Sequence, residues 1–399
     1  MPGTLRRVVI VGAGHAGGAC ALALREFGFD GAVVLLGEER HHPYERPALS
    51  KAMLASDDAA PTVLADAARW AGGFDLRLGA PVLAIDRGRR LVRLADGTDL
   101  SYDALVLATG GSARNLDIPG GELAQLLRTS DDAVALRARM RGARSAVVIG
   151  GGVIGLEVAA SFRAGGLSVR VIEAGPRILG RNVPEEAAAW IAGLHEREGV
   201  EIRTGIAARS IAATERGAAV TLGDGTVLEG DIVVQGIGIR PRTELAEAAG
   251  LPCRDGLLVG PTYASTADPL VWGIGDLAFR EGAAGGARQE SWAHAQGSAR
   301  AAARAILGLA PEPEETPWFW SDQYGHTLRI VGAPAEADES LARGPQFRLY
   351  LREGRVIGAA CLDAARDFAI ARRLVAAGAR LDREKAGQAG GDLRKAVAA

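Results

Sequence analysis

The chain has 399 residues, with 46 Lys and Arg against 48 Asp and Glu, a formal net charge of −2. Glycine is abundant at 54 residues, yet there is no Gly-X-Y period and hydrophobic residues reach 48%, which excludes collagen, disorder and low complexity. The charge balance leaves no basic excess for nucleic acid.

The N-terminus runs straight into an apolar strand, Val8–Val11, so no signal peptide is expected. No apolar stretch approaches the roughly 18 residues of a membrane span. A cytoplasmic protein without a membrane contact is the expectation. The strand leads into Gly12-Ala-Gly14-His-Ala16-Gly17, then a predicted helix Ala19–Phe27 and a strand Ala32–Leu36 that ends at Gly37-Glu38. Strand, glycine turn, helix, strand and acidic residue make up the dinucleotide-binding βαβ unit. Gly12 serves the tight turn, Gly14 lets the backbone approach a pyrophosphate, and Gly17 lets helix pack on strand. The helix N-terminus then offers free N–H groups to phosphate.

The same construction recurs downstream. A strand Ala146–Ile149 leads into Gly150-Gly-Gly152-Val153-Ile154-Gly155, a helix Leu156–Ala164 and a strand Ser168–Ile172 ending at Glu173. The segments behind the two units repeat as well. Asp96-Gly-Thr followed by a strand into Ala108-Thr109-Gly110 resembles Asp224-Gly-Thr followed by a strand into Gly238. One architecture is therefore used twice, and two dinucleotides are expected. Val271-Trp-Gly-Ile-Gly275-Asp276 places a carboxylate at the end of a further strand, where ligands bind in open sheets. The second unit has already closed at Gly238, so this segment must return to the first.

Two such glycine units, an Ala-Thr-Gly turn and a late Gly-Asp together resemble the FAD/NAD(P)-dependent pyridine nucleotide–disulfide reductase superfamily. Further stretches resemble one branch of it: Pro43-Tyr-Glu-Arg46-Pro-Ala-Leu-Ser50-Lys51, Glu290-Ser291-Trp292, and Pro317-Trp-Phe-Trp320-Ser-Asp-Gln323. That branch is the NADH-dependent ferredoxin reductases of oxygenase systems, rubredoxin reductases included. The resemblance implies an α/β fold of two Rossmann-like domains plus a small C-terminal α+β domain. FAD would bind a discontinuous domain, 1–111 and 239–314; NADH would bind the inserted domain 112–238; residues 315–399 would form an interface domain.

Carried over by this resemblance, Gly12, Gly14, Ala16 and Gly17 cradle the FAD pyrophosphate and Glu38 takes the adenosine ribose. Arg46 and Lys51 approach the flavin, Asp276 beside Gly275 contacts the ribityl chain, and Val82 and Arg128 complete the site. Glu290, Ser291 and Trp292 resemble the flavin-lining turn, and Trp320 the aromatic beside the isoalloxazine. Glu173 also speaks for NADH on physical grounds, since a carboxylate there accepts ribose hydroxyls and repels a 2′-phosphate; Arg177 nearby leaves some use of NADPH open.

Disulfide reductases of the superfamily carry a reactive cysteine pair after the first acidic residue. Here Arg46–Lys51 holds none, and no cysteine lies between Cys20 and Cys253. With Cys361 they form no close pair, so neither a dithiol relay nor a metal site is expected. What remains is flavin chemistry feeding a one-electron acceptor, a [2Fe-2S] ferredoxin or rubredoxin. Lys51 suits a charge-tuning role and Glu157 matches the family's partner for it. Only two other lysines occur, Lys385 and Lys395, among 46 basic residues, and a compact ammonium differs in kind from an arginine fork. His15 is read as a local filler of its turn, His41-His42 are too sparse to indicate a metal, and His294 lies ahead of a helix Ser298–Leu307 with no role assigned.

Beyond a proline-rich linker at 311–317, strands are predicted at Leu328–Val331, Phe347–Leu351 and Val356–Leu362, then a helix from Arg366 to about Ala377. The tail from Lys385 is expected to be loosely held. Arg366, Arg372 and Arg373 suit either an acidic partner or an ordinary solvated face. A membrane-surface NADH:quinone reductase would want an amphipathic C-terminal anchor, which Ala386–Ala399 lacks. A redox-sensing binding protein like apoptosis-inducing factor is the non-enzymatic alternative.

Overall fold

Continuous apolar runs, rather than alternating ones, build the first sheet. Val8, Val9, Ile10, Leu105, Val106 and Leu35 are sealed from solvent, as expected for parallel strands covered on both faces. The computed structural model describes residues 5–181, 183–281 and 286–398. The N-terminal residues 1–4, on which the expectation of no leader bears, lie outside that range. The chain packs as two units: Met1–Arg46, Pro61–Ser112 and Ile239–Glu314 form one, and Pro47–Ala60, Ala113–Gly238 and Glu315–Ala399 the other.

In the first unit five parallel strands run in the order Val271–Gly273, Ala104–Leu107, Arg7–Val11, Ala32–Leu36, Asp75–Arg77. The strand carrying Trp272 therefore lies beside Ala104–Leu107, in register Val271↔Leu105. The helices His15–Glu26 and Trp292–Ile306 pack together, and Ala21, Ala299, Ala302 and Ala303 there are fully buried. The unit also holds a separate antiparallel sheet, Val82–Asp86, Leu91–Leu94 and Asp99–Ser101, and a small mixed sheet, Leu257–Val259, Ala278–Arg280 and Ala287–Arg288.

The second unit repeats the plan with four parallel strands, Glu201–Arg203, Ser168–Ile172, Ser145–Ile149 and Ile232–Gln235. It also holds a five-stranded antiparallel sheet in the order Trp318–Gln323, His326–Gly332, Arg355–Leu362, Phe347–Arg352, Glu339–Ala342. The helix Ala365–Ala376 closes over that sheet, with Phe368 and Ala371 packed into its core.

Five expectations need correction. The first helix begins at His15 rather than Ala19, because Gly14 serves as its N-cap in extended conformation and the poor helix formers Gly17 and Gly18 sit in its first turns. The helix after the second glycine turn likewise begins at Val153 rather than Leu156, with Gly152 as its N-cap and Gly155 in its first turn. The late helix begins at Trp292 rather than Ser298, so His294 lies inside it; Ser291 caps it by accepting the His294 N–H at 3.1 Å. The C-terminal sheet has five strands instead of three. Trp318–Gln323 was hidden by three consecutive aromatic residues without alternation, and Glu339–Ala342 by its short polar edge.

The tail is also held firmly. It forms a helix Arg383–Gly387 and a final turn Leu393–Ala396, and Ala386, Leu393 and Ala396 are fully buried. Arg343, buried to 1% side-chain exposure, clasps it. Its guanidinium donates to the carbonyls of Ala386 (3.1 Å), Gln388 (2.8 Å) and Gly391, and pairs with Asp367 at 3.1 Å.

Candidate cofactor sites

In the first unit the glycines divide into two kinds. A Cβ at Gly12, whose φ is +110°, would lie 2.1 Å from the Ala108 carbonyl oxygen, and one at Gly17 would lie 1.8 Å from that of Gly12. A Cβ at Gly14 would meet only the tip of Arg46, at 3.8 Å. Gly12 and Gly17 thus permit the turn and the helix contact, while Gly14 leaves bare backbone facing open space. The helix that starts at His15 has no side-chain cap, so its first N–H groups remain available to an anion.

Around this turn stand the other expected residues of the unit. Gly110 and Gly275 both have φ of +64°, and a Cβ on Gly275 would crowd that of Ala16 at 2.7 Å. The Gly275 N–H donates to buried Ser298 Oγ at 3.0 Å, which seats the Asp276 turn. Thr109 Oγ1 donates to the Arg242 carbonyl at 2.7 Å, and the Arg242 guanidinium pairs with Glu38 at 2.5 Å. Arg46 pairs with Glu39 at 2.9 Å, and the Tyr44 hydroxyl donates to the same carboxylate at 2.6 Å. Arg242, Glu39 and Tyr44 are residues the sequence reading did not single out.

Val82 opens its strand half-buried against the first core. Glu290 pairs with Arg288 at 2.6 Å, and Ser291 caps the helix that presents Trp292. Trp292 meets His15 edge-on, with ring centroids 5.3 Å apart. Burial holds the His15 ring down to a pKa of about 4, Asp276 opposing and Arg46 adding to the effect. His15 is therefore neutral near pH 7, its Nε2 accepting from the Gln296 amide at 2.8 Å.

The second unit repeats the division. A Cβ at Gly150 (φ +111°) would lie 2.4 Å from the Gly236 carbonyl oxygen, and one at Gly155 would lie 2.0 Å from that of Gly150. At Gly152 nothing lies nearer than 3.9 Å. The helix Val153–Ala164 again lacks a side-chain cap, and Ile154 in its first turn is exposed. The Glu173 carboxylate accepts the N–H groups of Gly151 and Gly175, both at 2.7 Å. Gly238 closes the neighbouring strand turn with φ of +99°. Arg177, the cation that left NADPH open, spends its donors on the carbonyls of Ile178, Leu179, Gly180 and Val183. Arg128 donates its backbone N–H to Asp132 at 2.9 Å, beside the box that caps the next helix.

Lys51, Glu157 and Trp320 come together within the second unit. Lys51 Nζ lies 3.1 Å from Glu157 Oε1 and 3.7 Å from Asp322, and sits 5.9 Å from the Trp320 ring centroid. Glu157 is 3% exposed and accepts the hydroxyls of Ser50 at 2.5 Å and Ser321 at 2.7 Å. Burial pushes its carboxyl above the usual range, with Lys51 and the two serines pulling it back. Trp320 stacks on Trp318 at 5.5 Å and donates its indole N–H to Asp322 at 3.0 Å. Arg372, one of the three arginines read as suiting either an acidic partner or a solvated face, lies over Trp318 and pairs with Glu315 within the unit. Ser50, Ser321 and Asp322 stand in the quoted motifs, beside Lys51 and Trp320, but nothing in the sequence assigns them a role.

Both cradles fit a dinucleotide: each pairs an open glycine backbone with an uncapped helix start. Cysteine chemistry does not fit. Cys20 and Cys361 are buried, Cys253 is half-buried, and none pairs with another; burial pushes the thiols up to about 12, 12 and 11 respectively, far from reactive thiolate. Among the described residues no helix is long and apolar enough to cross a membrane.

The sequence pattern of the pyridine nucleotide-disulphide oxidoreductase family matches residues 6–302, and that of the reductase C-terminal domain matches residues 318–397. A ferredoxin–NAD(+) reductase component of the anthranilate 1,2-dioxygenase system of Burkholderia cepacia is 40% identical over 94% of this chain and 95% of its own. Among solved structures, the ferredoxin reductase for the CYP199A2 system of Rhodopseudomonas palustris superposes with a TM-score of 0.93 at 37% identity, over 98% of this chain and all of that one. The covalent putidaredoxin reductase–putidaredoxin complex gives 0.92 at 34%, over 98% of this chain and 97% of that one.

Proposed function

The chain belongs to the pyridine nucleotide-disulphide oxidoreductase family, which implies a flavin and NAD(H), and from that premise we propose that it is an FAD-dependent NADH:ferredoxin reductase of an oxygenase system. Its acceptor in this reading is a [2Fe-2S] ferredoxin or a rubredoxin that serves an oxygenase or haem monooxygenase, in the cytoplasm. One observation carries the proposal: likeness to such reductases runs through the C-terminal domain, while the segment that would hold a redox dithiol is cysteine-free. FAD, when bound, accepts two electrons as hydride and releases them singly, which is what an iron–sulfur acceptor requires.

The residues then divide the work. Gly12, Gly14, Ala16 and Gly17 bring bare backbone and helix N–H groups to the FAD pyrophosphate, Glu38 takes its ribose, and Asp276 takes the ribityl chain. Thr109, Gly110 and Trp292 shape the pocket. Gly150, Gly152 and Gly155 do the same for NADH, with Glu173 against its ribose. Glu173 is already held by two backbone N–H groups, so its negative charge is fixed in place against a 2′-phosphate. Lys51 supplies a cation that favours reduced flavin, and Glu157 balances it when the flavin is oxidised. The test is flavin reduction by NADH followed in stopped flow: Lys51→Met should retain FAD yet be reduced more slowly, and unchanged reduction would remove Lys51 from the mechanism.

A further inference from the structure

Behind Glu157 runs a line of buried polar groups that the two cofactor cradles do not use. His195 Nε2 lies 2.7 Å from Gln323 Oε1, Gln323 Nε2 donates to Ser321 Oγ at 2.9 Å, and Ser321 Oγ donates to Glu157 Oε1 at 2.7 Å. At the far end the Tyr324 hydroxyl lies 3.0 Å from His195 Nδ1, its ring edge-on to the imidazole. His195, Gln323, Ser321 and Glu157 are each at most 3% exposed. All belong to the second unit, on the helix Glu185–Arg197, the strand Trp318–Gln323 and its turn, and the helix Val153–Ala164.

The direction of every bond follows from the carboxylate. An ionised Glu157 can only accept, so Ser321 must spend its single proton there. Ser321 then accepts from the Gln323 amide, which turns the Gln323 oxygen toward His195. That oxygen requires a proton on His195 Nε2, which leaves Nδ1 to accept from Tyr324. We propose that Tyr324, His195, Gln323 and Ser321 form a one-way hydrogen-bond chain that holds Glu157 as a carboxylate and thereby fixes the charge opposite Lys51. His195 and Gln323 are positioning residues for that pair. A flipped Gln323 amide would compete with Glu157 for the Ser321 proton, and His195 Nε2–H prevents the flip.

Lys51 is the charged group that faces Glu157, and Asp322 faces Lys51 from the strand; Glu198 and Arg163 are the charges near Tyr324. Burial keeps His195 below its ordinary value, in keeping with the neutral tautomer. The tuning role of the Lys51–Glu157 pair rests on the proposed reductase function, but the chain itself does not.

The experiment is an infrared pH titration of the flavin-loaded protein, with the protonated-carboxyl band of Glu157 assigned by Glu157→Gln. Ser321→Ala should tighten proton binding at Glu157 about tenfold or more. His195→Phe, which touches neither Glu157 nor Lys51, should shift the same band upward by a smaller factor, about two- to fivefold. His195→Gln keeps an N–H toward Gln323 and should restore the wild-type titration. If His195→Phe leaves the band where wild type and His195→Gln have it, the chain does not reach Glu157. A shifted band in a protein that reduces no ferredoxin would sink the reductase reading and leave the chain standing.

Discussion

Removing the Lys51 ammonium should make stability depend on pH in a defined direction. At 3.1 Å from Glu157, the pair attracts by about 5 kcal/mol at an effective dielectric near 20, most of which offsets the cost of burying both groups. Stripping one member from a buried pair typically costs about 3–5 kcal/mol. Lys51 keeps 20% of its side-chain surface in solvent and the two serine hydroxyls stay behind, so about 2–3 kcal/mol is expected for Lys51→Met. Glu157 already has a raised folded-state pKa through burial, and losing Lys51 raises it further. A carboxyl raised on folding stabilises the protein fully below its unfolded value and loses that contribution as pH rises through the folded value. The deficit of Lys51→Met against wild type should therefore be smallest at acid pH, where Glu157 is protonated, and grow as pH rises through the raised folded value. Thermal unfolding of the FAD-loaded proteins across that range measures it, and Lys51→Met/Glu157→Gln should remove the pH-dependent part. A deficit of equal size at every pH would show that Lys51 contributes packing rather than charge.

Gly14→Ala and Gly152→Ala should fold, because the added methyl meets almost nothing, yet purify with less FAD and bind NADH more weakly, respectively; Gly12→Ala should instead fail to fold stably against the Ala108 carbonyl, as flavin content and melting temperature would report. Glu173→Ala with an added arginine nearby should raise kcat/KM for NADPH relative to NADH by about tenfold or more; equal use of both by the wild type would overturn the role given to Glu173, since Arg177 is committed to carbonyls. Arg343→Met should cost about 2–4 kcal/mol, since it strips a buried guanidinium from three carbonyls and Asp367. Limited proteolysis should then cut first after Gly387, and a tail as resistant as wild type would refute the clasp.

What the sequence showed most plainly were features that local chemistry dictates. The strands Ala32–Leu36 and Ser168–Ile172 were located to the residue because β-branched and leucine runs bounded by glycine admit little else. The close approaches at Gly12 and Gly17 followed from the turn itself. Legibility failed where long-range packing decides. The tail around Ala386 and Leu393 reads as polar and small, and nothing local announces that Arg343, more than forty residues earlier, holds it. The helix start at His15 was obscured because glycine is a poor helix former even where close packing on the Gly12 carbonyl demands it, as at Gly17. Around Glu157, the motifs gave the lysine and the carboxylate a role but gave none to Ser50, Ser321, Gln323 or His195. In the strand Trp318–Gln323 those polar residues occupy alternate buried positions, a signal visible only once the strand itself is recognised.

The account stands or falls on electron delivery. NADH-driven cytochrome c reduction by the FAD-loaded protein should be slow alone and should rise saturably when a [2Fe-2S] ferredoxin or rubredoxin is added, with NADH preferred over NADPH. If no ferredoxin or rubredoxin accelerates it, the reductase reading is contradicted at its most specific point.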